Sequence, residues 1–273
     1  MAINYASKYS PVVDDAFSRG SVTNIAFNAS YDFIGVKTVY VYSLPTAPMN
    51  NYARTGSDRY GTPTELQDTT QELTLMQDRS FSRVIDRGNI IDQMYVKKAA
   101  EFLAKQVRDV IIPEIDTYRL SVLSASAGTS DTTAATASNA YELFLNAEAA
   151  LGDANVPEGG RIAYVSYDYY TKLKLDPAFS KESDIAMAGI ISGSIGGVVD
   201  GIPIIRVPAL RLPAKQQFII VHPSAAVTPV KLTSFYIHEN PPGVDGYRVE
   251  GRIYYDAFVL DQKTAGIYSS VAP

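Results

Sequence analysis

The sequence predicts a mixed α+β fold, and three observations carry that reading. Period-two alternation occupies residues 36–44 and 71–87, one long helical stripe follows Asp92, and short strand-like apolar runs fill the chain from Arg161 onward. In VKTVYVYSL, Val36, Thr38, Tyr40, Tyr42 and Leu44 alternate with Lys37, Val39, Val41 and Ser43. The segment QELTLMQDRSFSRVIDR is read as a second strand. It carries Leu73, Leu75, Arg79, Phe81, Arg83, Ile85 and Arg87 on one face, and Glu72, Thr74, Met76, Asp78, Ser80 and Asp86 on the other.

Between these strands lies PTAPMNNYARTGSDRYGTPTELQDTT, rich in proline and glycine and almost without large aliphatics. Structureless stretches beyond about 12–15 residues are uncommon inside compact domains, so this excursion is expected to lean on another surface. Asp92 is the expected N-cap of the helix, and Val96, Ala100, Leu103, Val107 and Val110 form its apolar stripe. Pro113 removes one backbone bond, so the helix either kinks there or restarts. SASAGTSDTTAATASN (124–139) reads as a linker or surface excursion. A helix over AYELFLNAEAALGDA is expected to stop at Gly152. Strands are expected at RIAYVSYD, IPIIRVP, QFIIVHP, VKLTSFYI, YRVEGRIYYDAFVL and AGIYSSV, with a helical turn at YYTKLKLD.

Composition narrows the chemistry. The 273 residues contain no cysteine, which excludes disulfides, thiolate metal sites and a cysteine nucleophile. Net charge is −5 with the signs well mixed, and no basic stripe points to sequence-specific reading of DNA or RNA. The N-terminal segment lacks the apolar core of a signal peptide and no apolar run reaches bilayer length, so the expectation is no membrane and intracellular synthesis. Nineteen tyrosines without tryptophan suit contact surfaces or a tyrosine-rich core.

The candidate sites divide unevenly. SGSIGGVVDGIPIIRVP has no lysine at a helix start and no G-x-G-x-x-G order, so it is read as architecture. Asp200-Gly201 would form a two-residue hairpin turn, with Gly193, Gly196 and Gly197 easing the backbone before it. His222 and His238 have no metal-ligand spacing and no nucleophile elbow nearby, and are read as structural. Asp14-Asp15 is read as a solvated pair or cap. No catalytic, cofactor or metal residue is assigned. Arg79, Arg83 and Arg87, on one strand face, are either solvated or paired with acids of a neighbouring subunit.

The order of these pieces resembles the major capsid proteins of tailed bacteriophages with the Hong Kong 97 coat fold. The resemblance is carried by INYASKYSPVVDDAF, YDFIGVKTVYVYSLPTAPMN, GTPTELQDTTQELTL, VIIPEIDTYRL and GIPII, over almost the whole chain. It implies an N-terminal arm over 1–30, an extended loop over 31–90, a spine helix and linker of a peripheral domain over 91–134, an axial domain over 135–225 and a peripheral β return over 226–273. It also implies a structural protein rather than an enzyme, with no cofactor. Copies would form hexamers and pentamers of an icosahedral shell, assembled in a host cytoplasm and ending in the virion. Its partners would be a portal protein, a separate scaffolding protein (no scaffolding segment is expected ahead of Tyr31) and non-specifically packaged DNA. Arg54, Asp58 and Arg59 in the loop, with Arg79, Arg83 and Arg87, are the candidate subunit-contact residues. A nanocompartment shell of the same fold, enclosing a cargo enzyme, is the nearest alternative; a tail-tube subunit, an intracellular hydrolase and a carbohydrate-binding module are more distant ones.

Overall fold

The computed structural model describes residues 20–28, 37–43, 49–62, 65, 68–88, 99–182 and 195–273. Asp14-Asp15, Asp92, Gly193 and most of the 1–30 arm lie outside the described residues. The first strands form a two-stranded antiparallel ribbon, β1 (Thr38–Ser43) and β2 (Thr69–Thr74), with Thr38 opposite Thr74 and Ser43 opposite Thr69. The next strand, β3 (Gln77–Asp86), leaves the ribbon and forms an edge of a three-stranded sheet in the order β10 (Val230–Glu239), β11 (Gly246–Tyr255), β3. The single strand expected over 71–87 is therefore two strands in two sheets. The cause is a long-range contact: Met76 N–H donates to the buried Asp256 carboxylate at 2.8 Å rather than to a strand partner.

A six-stranded sheet holds the rest, in the order β4 (Thr129–Asp131), β13 (Ile267–Val271), β8 (Gln216–Val221), β5 (Ile162–Ser166), β7 (Ile202–Val207), β6 (Ile195–Val199). Both of its faces are covered, so its strands read as continuous apolar runs rather than alternating ones. Ala163, Val165, Phe218 and Ile220 pack under α3 (Ala140–Asp153) and α4 (Tyr167–Leu175). Ile162, Tyr164, Ile219 and Val221 face the opposite core. A short helix α5 (Pro177–Glu182) follows α4, and β9 (Ala226–Val227) pairs with β12 (Phe258–Val259). The boundary expected at 225/226 does not separate sheets, because β13 lies between β4 and β8 in the larger one.

The long helix does not break at Pro113. It runs through α1 (Ala99–Gln106), a π turn (Val107–Ile111) and α2 (Ile112–Ala125), about 40 Å at 1.5 Å per residue. The wide turn, with Ile112 N–H bonded to Val107 O, absorbs the proline without ending the helix. It also advances the apolar stripe by one position: Leu103, Val107, Ile111, Ile112 and Ile115 are buried, while Val110 is 44% exposed. The expected stripe fails at Val110 for that reason, and Ala100 is exposed as well. Ile111, Ile112 and Ile115 pack on the three-stranded sheet, and Leu120 and Leu123 on the six-stranded one. One helix thus serves two cores.

Local turn chemistry behaves as the residues dictate. Asp200 (φ 48°) and Gly201 (φ 79°) make the β6–β7 hairpin turn. α3 runs past Gly152 and ends instead on Asn155 (φ 55°), whose N–H reaches Gly152 O while Val156 N–H reaches Leu151 O, a Schellman stop. The 124–139 segment is no free linker. β4 pairs in parallel with β13, and Gln217 clasps the segment from the sheet, accepting from Ala135 N–H at 2.7 Å and donating to Thr133 O at 2.7 Å.

A buried polar cluster ties the N-terminal segment to the helix. Asp116 and Arg119 on α2 are 0% and 1% exposed. Asp116 accepts from Ser21 Oγ and Thr23 Oγ1 at 2.6 Å each, and from Arg211 at 3.4 Å. Arg119 donates to Asn24 Oδ1 at 2.6 Å and lies 5.6 Å from the Phe27 ring centre. Burial lowers the Arg119 pKa to about 10, and the adjacent Asp116 opposes that shift. Removing the carboxylate would strand a buried cation. Asp116→Ala is expected to cost about 3–5 kcal/mol of unfolding free energy in urea titrations; Thr23→Val, which keeps both charges and removes only the hydroxyl between them, is expected to cost about 1–2 kcal/mol.

Tyr118 makes a second cross-tie, donating to Asp256 Oδ1 at 2.6 Å. Burial first, and then Asp256, push its pKa up to about 12; burial likewise pushes Tyr255 up to about 12 and raises Tyr164, Tyr169 and Tyr268. Unfolded phenols ionise near pH 10. The folded chain therefore holds these protons longer, so their stabilisation is complete below pH 10 and is lost as pH rises toward 12. The absence of tryptophan leaves tyrosinate absorbance unobstructed. Native protein at about pH 11 should show fewer ionised tyrosines than urea-unfolded protein, and unfolding free energy should fall across that window.

Candidate functional site

The ribbon has one face at home and one face bare. Val39 and Leu73 stand opposite each other on the inner side. Leu73 and Leu75 are buried with Val227 and Leu260, and Val39, Val41, Tyr254 and Phe258 pack around them. Gln71 fastens the middle of the ribbon, donating to Val259 O at 2.9 Å and accepting from Asp261 N–H at 3.1 Å. Tyr254 donates to Leu75 O at 3.0 Å where the chain leaves for β3. The root therefore rests on its own chain, and only the segment between the strands stands clear of it. The outer face pairs Tyr40 with Glu72 and Tyr42 with Thr70, and the two tyrosines are 54% and 70% exposed.

Beyond the strands, residues 49–62 form a small ordered tip. Ala53 N–H bonds Arg59 O, Gly61 N–H bonds Asp58 O, and Tyr52 meets Tyr60 edge-on at 5.0 Å. Gly56 and Gly61 supply the positive φ (96° and 91°) that these reversals need. Almost every residue of the tip is exposed, including Met49 at 98% and Tyr60 at 85%. This tip has shape but no core.

The six candidate contact residues fall into two sets that no contact joins among the described residues. Arg54, Asp58 and Arg59 are exposed on the tip, where the Arg59 Nε donates to Gly56 O at 3.1 Å. Arg79, Arg83 and Arg87 lie on or beside β3. Arg79 pairs with Glu114 of α2 at 2.6 Å, and Arg87 with Asp245 at 3.3 Å and Asn240 Oδ1 at 2.6 Å. Two of the three arginines thus have acidic partners in their own chain, while Arg83 is exposed. These side chains come from segments far apart in sequence, so the sequence alone gave no sign of the pairing.

An open groove of about 720 Å3 lies between α2, β3 and the Leu210 turn; its charged walls include Arg79, Glu114 and Arg211. Among the described residues, these charged groups of the groove already have partners. His222 is spent structurally, with Nδ1 2.7 Å from Ser224 Oγ and Nε2 3.2 Å from Gly159 O. His238 stacks on Tyr236 and lies 3.4 Å from Glu250. Among the described residues there is no group of three metal-ligating side chains, and no helix long and apolar enough to cross a membrane.

No family model matches the sequence, and no curated protein matches it. Solved structures do. One from Mycobacterium phage Che8 aligns with a TM-score of 0.71 at 20% identity, covering 91% of this chain and 89% of the other. The capsid structure of cyanophage P-SCSP1u aligns at 0.65 and 13% identity, covering 91% and 86%. A virus-like particle from Pyrococcus furiosus aligns at 0.60 and 12% identity, covering 98% and 100%. The likeness is one of architecture: the chain, with its 27-residue helix, has the α+β Hong Kong 97-type fold of tailed-phage capsid proteins.

Proposed function

We propose that this chain is the major capsid protein of a tailed phage, self-assembling into hexamers and pentamers of an icosahedral shell around double-stranded DNA. The observation that carries the reading is the ribbon: a limb rooted on its own chain whose outer face and tip leave Tyr40, Tyr42, Met49 and Tyr60 exposed. In this reading the ribbon and tip lie over the adjacent subunit, the long helix and three-stranded sheet form the peripheral domain, and the six-stranded module lies toward the capsomer centre. Arg54, Asp58, Arg59 and Arg83 supply exposed polar contacts. Each such pair contributes only about 0–1 kcal/mol, so they set register more than bulk stability. Many weak contacts repeated around a closed shell suffice to hold it. A portal protein, a separate scaffolding protein and packaged DNA are the further partners of this reading.

A nanocompartment shell is the second reading. It is favoured by the full coverage of the Pyrococcus furiosus particle chain, 100% of its length. Particles purified from the native source separate the two, since one would hold a DNA genome and the other a protein cargo.

Deleting residues 50–64 is expected to leave a folded, soluble chain that forms no shells, because the tip contributes nothing to any buried core. Electron microscopy of the purified variant beside the intact chain measures this; normal particles from the deletion would refute the reading.

A further inference from the structure

Two helix faces of the six-stranded module expose opposite charges that have no ion-pair partner among the described residues. On α4, Tyr167, Tyr170 and Lys174 follow one another at helical spacing, and Arg206 reaches them from β7. The Arg206 guanidinium lies 5.8 Å from the Tyr167 ring centre and 5.3 Å from that of Tyr170. Lys174 Nζ lies 5.7 Å from Tyr170 and 5.2 Å from Phe179. Rings and cations thus alternate along the face, and both cations share Tyr170. Neither cation has an ion pair or a hydrogen bond among the described residues, and the buried Arg206 Nε has no acceptor. The contrast sits on the same helix, where Lys172, on another side, is paired with Asp168 at 2.6 Å. Two positive charges against one ring repel each other, and rings strengthen a cation's binding without neutralising it. Tyr167 is 52% exposed, so the face is open to a partner.

α3 offers the complement. Glu142, Leu145, Asn146, Ala149 and Asp153 fall within an arc of roughly 100° at 3.6 residues per turn, and all are exposed. The helix contains Glu142, Glu148 and Asp153 and no basic residue. Glu148 turns toward Arg161, whereas Glu142 and Asp153 have no ion pair or hydrogen bond among the described residues.

The sheet sets these faces toward different flanks. α3 packs on β13, α4 packs on β5 and β7, and β8 runs between β13 and β5. We infer that adjacent copies meet head to tail through these helices, the cation–aromatic face of α4 in one copy seated on the acidic face of α3 in the next. A two-fold contact would set either face against itself and oppose like charges. A head-to-tail contact matches them and closes into a ring when the rotation allows it. Tyrosine and arginine at the centre are also what protein interfaces enrich. The inference rests on the shell reading and names one of its contacts.

Assembly at low ionic strength, followed by light scattering and electron microscopy, tests it on the full chain. Lys174→Glu alone, and Glu142→Lys with Asp153→Lys, should each raise the concentration needed for shells by at least about tenfold, since like charges brought together cost several kcal/mol. The triple variant, with Lys174 and both α3 acids reversed, should recover part of that loss, the retained Arg206 limiting the gain. Lys172→Glu should change little, and thermal melts should show every variant folded. Shells formed equally well by the reversed variants, or no recovery in a folded triple variant, would overturn the contact while leaving the shell reading intact. If Lys174→Glu assembles normally but loses binding to a fluorescent DNA duplex, the α4 face belongs to nucleic acid and the contact is overturned. If the unmodified chain forms no particles at any concentration, the shell reading fails and takes the inference with it.

Discussion

The structure depends on a pair of charges in a place where charges are costly. Asp116 and Arg119 lie on the one helix that both main cores share, and both are almost wholly excluded from water. Taking two ions out of water is offset only when their remaining donors and acceptors are met. Here they are met largely by Ser21, Thr23 and Asn24, so the N-terminal segment is held because the ions require it. That segment then reaches both neighbours: Tyr164 of β5 donates to Val22 O at 2.9 Å, and Asn28 N–H donates to Ala226 O at 2.8 Å. Arg211 approaches the same carboxylate from the turn after β7. A hydrophobic contact in this position would tolerate sliding; two charges joined through the shared Thr23 hydroxyl fix one arrangement.

Against that fixed centre the ribbon is a lever with a firm root. Its inner face is buried with β9 and with residues from β12 onward, while Asp256 holds the crossing into β3 and the helix through Tyr118. Gly251 shows how closely the neighbouring sheet is fitted. A Cβ there would collide with the Phe81 ring and stand 2.6 Å from that of Phe235, so the central strand yields its own side-chain space to rings from both flanking strands. Rigidity at the root and exposure at the end are both what the proposed contact with another copy requires.

How much of this was legible depends on the range of the forces involved. The Asp200-Gly201 hairpin, the α+β class and the buried strands of the six-stranded sheet follow from neighbours in sequence, and they read correctly. The break at Met76 does not, because alternation continues through it and the group that causes it is Asp256, remote in sequence. The helix stripe was misread at Val110 because periodicity presumes 3.6 residues per turn, and the π turn before Pro113 shifts the phase. The 124–139 segment has too few apolar side chains to announce a docked element; its hold comes from Gln217, an amide whose partners are invisible locally. The arginines on and beside β3 stood out as candidates, but acids distant in sequence claimed two of them.

The placement of β13 has a bearing on biosynthesis. This strand leaves the ribosome after every other strand of its sheet, yet it belongs between β4 and β8. Until it emerges, the flank of β8 lies open and β4 has nothing to pair with. Nascent or prematurely terminated chains would therefore lack a finished module, and in the proposed shell incorporation would be reserved for copies whose translation has passed residue 271. Quality control of the building block would then be written into strand order, with no separate inspector required.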